Sequence, residues 1–431
     1  MRAFLLHLAV AWQKFIYSAS LKGYNTALRL ASPWHSKAKA MLDGRKNWTE
    51  SLKQHWKWTK EPTLWMHCAS LGEFEQGRPV LEAYRKEYPE HKILLTFFSP
   101  SGYEIRKNYA GADYVTYLPF DSEENAWLFL EIIQPDLAVF VKYEFWANYL
   151  QALRQKEIPC LLVSAIFRPN QLFFKSYGAY YRQLLGLYKR VFVQNKNSAE
   201  LISAYTEYPP IIAGDTRFDR VLEITSSAKS IPEIEQYVQG KPAMVIGSSW
   251  PADIEVLMPI MEKYAGDIRF IIAPHEVDAN AIQQLENQLQ TLAKARYTQT
   301  QNFANLKASV LIIDTIGMLS SLYQYGKWAY VGGSFGKGLH NTLEAAVWGI
   351  PVFFGNRKYQ KFDEALLLID NGGAFPIQNS QELEGLLQKL LPEGQEYKKS
   401  ASAAEQTVKQ GGGATRLVME YIANLYAGRE N

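Results

Sequence analysis

Seven short runs in the first half of the chain are apolar on both alternating faces: "TLWMHCA" (63–69), "KILLTFF" (92–98), "DYVTYLP" (113–119), "DLAVFV" (136–141), "PCLLVSA" (159–165), "RVFVQ" (190–194) and "PIIAGD" (210–215). Amphipathic stretches of helical length, such as 74–88 and 122–134, separate several of them. Strands that hide both faces and are joined by helical crossovers belong to a parallel sheet with helices on either side. A polar segment, 224–242, carries Ser226, Ser227, Pro232, Gly240 and Pro242. A second series then begins: "AMVIGSS" (243–249), "IRFIIAP" (268–274), "SVLIID" (309–314), "WAYVGG" (328–333) and "IPVFFG" (350–355). Residues 380–425 read as helical, with no further strand. The sequence therefore predicts an α/β chain with two Rossmann-like domains in series, their parallel sheets facing across a cleft, and C-terminal helices. A length of 431 residues with 47% hydrophobic content suits two cores. The expected boundaries are a basic N-terminal segment 1–62, a first domain 63–223, a linker 224–242 and a second domain 243–431.

Open α/β sheets bind ligands beyond the carboxyl ends of their strands. Polar motifs sit at those ends: Ser70 to Glu73, Glu144, Gly247 to Ser249, Pro274 with His275, and Asp314 to Met318. The densest is "VGGSFGKGLHNTLEAAVWGIPVFFG" (331–355). It lacks the lysine of a Walker loop and the spacing of GxGxxG. Its glycines suit either backbone N–H groups approaching an anion at a helix start or a tight strand-to-helix turn with no ligand. Asn341 and Glu344 are three residues apart and share a helical face, where both would reach one ligand or would face solvent. Glu73 reads as a general base or as a first-turn glutamate favoured by the helix dipole. Arg217 reads as an anion clamp or a surface ion pair, and His275 as a ligand or a structural histidine. With no HExxH, clustered His/Cys set or DxD-like pair, no metal is implied, and no GxSxG nucleophile motif occurs.

Charge is uneven. Residues 1–62 carry 11 Lys/Arg against 3 Asp/Glu, a net of +8, while the rest of the chain is at −5. Such a distribution fits a local anionic partner and not general nucleic-acid binding. Residues 3–19, "AFLLHLAVAWQKFIYSA", are too short and interrupted to span a bilayer. As a helix they place Phe4, Leu5, Leu8, Trp12, Phe15, Ile16 and Ala19 on one face, with His7, Lys14 and Ser18 on another. Six of the 11 tryptophans precede residue 66, among Lys and Arg. That pattern predicts a helix lying at headgroup level, with an ordinary core helix or a secretory signal as the alternatives. Cys68 and Cys160 both lie beside apolar runs and are expected to be buried and reduced.

Together the motifs resemble the 3-deoxy-D-manno-octulosonic acid (Kdo) transferases of lipid A biosynthesis, which are glycosyltransferases of the GT-B fold. The likeness runs from about residue 63 to 376 through "HCASLGEFEQGRPVLEAYRKEYPEHKILLTFFSPSGYE", "YEFWANYL", "AGDTRFD", "IGSSWPADIEVL", "DTIGMLSSLY" and the 331–355 stretch. It implies inverting transfer of Kdo from CMP-Kdo to a glucosamine hydroxyl of a lipid A precursor, with no metal and no cofactor beyond the donor substrate. It implies an enzyme on the cytoplasmic face of the inner membrane, peripheral or N-terminally anchored on its anionic surface. The catalytic positions implied are Glu73 as base, Arg217 where the family usually has lysine, and Lys142. CMP contacts fall on Pro274, His275, Ile316, Gly317, Met318, Asn341, Thr342, Leu343 and Glu344. Three positions depart from the family pattern. His275 stands where an arginine is usual. Lys142 replaces the first carboxylate of "ETELWPN", leaving Glu144 as the matching one. Met318 replaces a glutamate, so a contact there runs through backbone. Competing readings are a GT-B enzyme using a UDP-sugar, a non-hydrolysing sugar epimerase, or a non-catalytic membrane-associated nucleotide-binding protein.

Overall fold

The computed structural model describes residues 2–429. The chain forms two compact units: one runs to Asp219 and resumes at Gly413, the other runs from Arg220 to Gly412.

The first unit is built on a seven-stranded parallel sheet: β1 Thr63–Cys68, β2 Lys92–Phe97, β3 Tyr114–Tyr117, β4 Leu137–Val141, β5 Cys160–Ala165, β6 Arg190–Val193 and β7 Ile211–Ile212. Its order is β3-β2-β1-β4-β5-β6-β7. Every residue of β1, β4 and β5 is buried. Successive side chains point to opposite faces, so Trp65 joins one core with Phe129, Phe140 and Tyr149 while its neighbours Leu64 and Met66 join another with Phe74 and Val139. Cys68 and Cys160 are free and buried, and burial pushes both thiols well above their usual range.

The second unit carries β8 Ala243–Ser249, β9 Arg269–Pro274, β10 Lys294–Arg296, β11 Val310–Ile312, β12 Trp328–Val331, β13 Val352–Gly355 and β14 Ala374–Ile377, all parallel, in the order β10-β11-β9-β8-β12-β13-β14. The twelve apolar runs mark twelve of these fourteen strands. β10 and β14 were not marked: "KAR" has no apolar signal and "AFPI" contains a proline, which is tolerated because β14 is an edge strand.

Three expected boundaries change. Residues 224–242 are not a bare linker, because a helix over Thr216–Ser227 enters them and a second, Pro232–Val238, buries Ile234 and Tyr237. The chain divides earlier, at Asp219. The last helix, Ala414–Tyr426, belongs to the first unit instead of the second, since Val418, Met419 and Ile422 complete the core against Leu64, Val80 and Leu81. The N-terminal segment also packs onto the first unit.

Its helix is longer than the predicted 3–19, running Arg2–Ala31. Val10, Tyr17 and Leu21 face the core, and the Tyr17 hydroxyl donates to buried Asp121 at 2.5 Å. Trp12, Phe15 and Ile16 face outward at 63%, 62% and 48% exposure, so the apolar stripe is the solvent side. The side chains of Phe4, Leu5, His7 and Leu8 lie outside the described residues. Arg45 is no surface cation: it is buried and donates to the carbonyls of Leu118, Met41 and Phe98 at 2.7, 2.9 and 2.7 Å. Trp56 and Trp65 are core residues, whereas Trp34 and Trp58 are exposed.

Asp219 fastens the returning helix, its carboxylate accepting from the N–H groups of Gly413 at 2.5 Å and Thr415 at 2.7 Å. Asp219→Ala is expected to cost about 1–2 kcal/mol of stability, read as a lower urea midpoint of the full chain; an unchanged midpoint would contradict this capping role.

Candidate functional site

In each sheet the strand order reverses at one pair of neighbours, β1/β4 in the first unit and β8/β12 in the second. Loops leaving such a pair at their carboxyl ends diverge to opposite faces and leave a crevice. Of the predicted site residues, Glu73, Lys142 and Asn341 to Glu344 lie on these loops, whereas Arg217 follows β7, Pro274 and His275 lie at the end of β9, and Ile316 to Met318 follow β11.

In the first unit β1 ends at Cys68, and Ser70 caps the helix Leu71–Glu87 with its hydroxyl accepting from Gly72 N–H at 3.2 Å. The same hydroxyl donates to the Glu73 carboxylate. Glu73 is half-buried in the first helical turn. There it is oriented by Ser70 and favoured by the dipole. After β4, Lys142 adopts a left-handed backbone with φ 71°. Glu144, the carboxylate that matches the family pattern, is withdrawn from solvent. It accepts from the Trp146 indole at 2.5 Å and lies 3.2 Å from buried His67, whose other ring nitrogen meets Thr96 at 2.9 Å. Glu144 is therefore a buried brace for the loop after β4.

Arg217 is gathered in from the start of the Thr216–Ser227 helix. Its guanidinium donates Nε and Nη2 to Asp215 at 3.0 and 2.7 Å, and its backbone N–H adds a third bond at 2.9 Å. Gln76 donates to the same carboxylate at 3.0 Å, and the Thr216 hydroxyl donates to the Gln76 carbonyl. These bonds fix Arg217 against the helix that carries Glu73. Burial pushes the Asp215 carboxyl up, but Arg217 and Lys142 outweigh it and hold it below the usual carboxylate range. Glu73, Lys142 and Arg217 thus share one end of one sheet. Ser70 was read only as part of the polar motif after the first strand and Asp215 was given no role, although both are hydrogen-bonding side chains within three residues of Glu73 and Arg217.

In the second unit the glycines of 331–355 divide into two kinds. A Cβ on Gly332 would lie 2.4 Å from the Ser248 carbonyl oxygen, and one on Gly333, at φ +94°, would lie 2.3 Å from that of Gly338. Gly332 is required by packing against β8, and Gly333 by the closure of its own turn on Gly338 and His340. Gly336 and Gly338 face no such crowding, although Gly338 has φ +127°. Gly333 N–H and Trp250 N–H both donate to Asp253 Oδ2 at 2.9 Å, and Tyr330 donates to its other oxygen at 2.8 Å. Asp253 is fully buried.

Asn341 and Glu344 meet as their spacing implied, Nδ2 to Oε1 at 3.1 Å. The helix that follows is a single turn, Leu343–Ala346, so the dipole it could offer an anion is small. Thr342 and Leu343 are fully buried, and Leu343 N–H is taken by Asn341 Oδ1 at 3.1 Å. Their side chains serve the core. Ile316 is 80% exposed beside Gly317 at φ +88°, and Met318 precedes the short helix Leu319–Leu322. Pro274 ends β9, and His275 stacks on Trp250 at 4.6 Å and on His340 at 4.5 Å. Burial lowers both histidines. Glu276 partly offsets the effect at His275, whereas His340, with His275 also opposing its charge, falls to about 4.

A family model described as 3-deoxy-D-manno-octulosonic-acid transferase (kdotransferase) matches residues 46–220. The 3-deoxy-D-manno-octulosonic acid transferase of Aquifex aeolicus is 27% identical over 348 residues, covering 79% of this chain and 90% of its own. That of Chlamydophila psittaci is 25% identical, covering 72% and 73%. Among solved structures, a putative UDP-N-acetylglucosamine 2-epimerase from Listeria monocytogenes matches with a TM-score of 0.59 at 14% identity, over 86% of this chain and 98% of that one. At that identity the likeness concerns the two-domain GT-B fold alone.

Because His340 is held neutral in the folded chain, the unfolded chain binds the extra proton between about pH 6.5 and pH 4. Stability is therefore expected to fall as pH drops through that window. In thermal melts, His340→Gln should show a shallower loss over this interval than the parent, and parallel curves would contradict it.

Proposed function

From the premise that the chain is a member of the Kdo transferase family, and so a glycosyltransferase transferring Kdo in lipopolysaccharide biosynthesis, we propose that it moves Kdo from CMP-Kdo to a glucosamine hydroxyl of a lipid A precursor, with inversion and with Glu73 as general base. One observation carries the assignment of the base: Glu73 is half-buried, oriented by Ser70, and placed at the end of β1 beside the reversal of strand order. In this reading the acceptor hydroxyl gives its proton to Glu73 while its oxygen attacks the anomeric carbon. The bond from that carbon to the phosphate oxygen breaks on the opposite side, and CMP leaves with the electron pair. Stabilising that leaving charge calls for fixed positive groups. Arg217, fixed by Asp215, and Lys142, whose charge also acts on Asp215, are the cations of this cluster in that role.

The second unit is the CMP-sugar-binding half in this reading. Pro274, His275 and the exposed Ile316–Gly317 loop are suited to the nucleotide, Met318 contributes through backbone, and the paired Asn341 and Glu344 suit sugar hydroxyls. Thr342 and Leu343 hold that pair in place from the core.

Among the described residues no helix is long and apolar enough to cross a membrane. The outward stripe of Trp12, Phe15 and Ile16, with exposed Lys14, Lys22 and Arg29 on the same helix, supports peripheral attachment to an anionic membrane surface, which we assign to the cytoplasmic face of the inner membrane.

The protein incubated with enzymatically generated CMP-Kdo and a tetraacylated lipid A precursor is expected to add Kdo mass to the lipid. Glu73→Gln should lower the rate by a factor of about 100 or more, with CMP affinity and melting temperature preserved. Unreduced transfer by that variant removes Glu73 from the role, and transfer only from a UDP-sugar replaces the donor. Changing Trp12, Phe15 and Ile16 together to Ser should weaken binding to phosphatidylglycerol-containing vesicles by about 100-fold in a flotation assay; retention of binding would place the membrane contact elsewhere.

A further inference from the structure

Three rings meet where β8, β9 and β12 end, and their chemistry is more restrictive than stacking alone. Trp250 follows β8, His275 follows β9, and His340 closes the glycine-rich turn after β12. His275 stacks on both other rings, at 27° to Trp250 and 31° to His340. The Trp250 indole N–H is directed at His340 Nε2, 3.2 Å away. An indole nitrogen donates and never accepts. Nε2 must therefore carry the lone pair, and the single proton of the ring sits on Nδ1. A proton on Nε2 would set two donors against each other.

We propose that Trp250 is a positioning residue that holds His340 as the neutral Nδ1–H imidazole, so that the glycine-rich turn offers an uncharged N–H donor to an anionic oxygen of a sugar nucleotide. The anionic ligand rests on the reading of this unit as the CMP-sugar-binding half; the hold on the imidazole does not.

Two further observations support the hold. The backbone N–H groups of Trp250 and Gly333 bond to the same oxygen of buried Asp253, so the indole and the turn that carries His340 share one anchor. A Cβ on Gly333 would lie 2.8 Å from His340 Cδ2 and 3.1 Å from Nε2. That edge of the imidazole is thus pressed against the turn, and Nδ1, on the far side of the ring from Cδ2, points away from it. The charged and titratable neighbours also disfavour a second proton: His275 stacks at 4.5 Å, and the Lys337 ammonium lies 5.4 Å from the Trp250 ring. Asp253 spends its oxygens on Trp250, Gly333 and Tyr330. Glu276 acts on His275. A neutral donor binds an oxygen with direction but without the strong salt dependence of a lysine or arginine. That suits a turn whose ligand must later depart as CMP.

The test uses the full chain labelled with 15N-histidine, with His340→Gln assigning the resonance. Long-range 1H–15N spectra at pH 7 without ligand are expected to show Nδ1 protonated and Nε2 bare. Trp250→Phe keeps an aromatic ring for His275 but removes the N–H. It should shift His340 toward a mixture with the Nε2–H form and raise the donor KM about tenfold, the loss of roughly one hydrogen bond, with kcat within about twofold. A wild-type His340 that is Nε2–H or doubly protonated overturns the proposal. So does a Trp250→Phe spectrum identical to the parent in a chain whose circular dichroism shows it folded. Titration with CMP separates the two layers. Movement of the His340 signals supports the whole proposal. CMP that binds nowhere overturns the nucleotide reading while the ligand-free spectrum still decides the role of Trp250.

Discussion

Two carboxylates withdrawn from water, Asp215 and Asp253, hold the loops on which everything else depends. A buried carboxylate is costly unless its oxygens are filled. Each is filled here by one neighbouring residue and by groups distant in sequence: Arg217 with Gln76 for one, Trp250 with Gly333 and Tyr330 for the other. Both lie at the carboxyl ends of sheets that are covered on both faces, so polar chemistry is excluded from the strands and confined to their ends. The consequence is a pair of rigid loop clusters, one carrying Glu73, Lys142 and Arg217, the other carrying the glycine-rich turn.

The strands were legible because nothing else produces runs such as "KILLTFF" between amphipathic crossovers. β10 and β14 were not, because "KAR" carries no apolar run and "AFPI" is interrupted by a proline. The same logic explains the boundary. Residues 224–242 look like a linker from their serines and prolines, yet Ile234 and Tyr237 are enough to seat a short helix. What the sequence made legible was position: Glu73 in the first helical turn after β1, and the contact between Asn341 and Glu344 that their spacing implies. The site was not legible where a residue acts through a contact between distant segments. Asp215, Trp250 and the His67–Glu144–Trp146 brace depend on the pairing of strands, and Thr342 and Leu343, implied as CMP contacts by the family resemblance, have buried side chains.

The N-terminal helix shows how one periodic pattern can serve two surfaces. Its inward side is tied by polar bonds, Tyr17 to Asp121 and Gln13 to the Tyr180 N–H. That side also sets Val10, Tyr17 and Leu21 against the core, while the outward side exposes Trp12 and Phe15, stacked at 5.7 Å, among Lys14, Lys22 and Arg29. A helix serving the core alone would keep such large apolar side chains inward. Arg45 makes the same point for charge: a cation in a basic segment can be a buried donor to three carbonyls.

The helix Ala414–Tyr426 has a consequence for how the chain is made. The first unit begins at the N-terminus, but Val418, Met419 and Ile422 complete one of its two cores. Each such side chain contributes about 1.5–3 kcal/mol when fully buried. During synthesis the first unit emerges early and waits with that face open, against Leu64, Val80 and Leu81, until the whole of the second unit has been translated. The second unit, contiguous from Arg220 to Gly412, therefore has all of its residues before the first has its last helix.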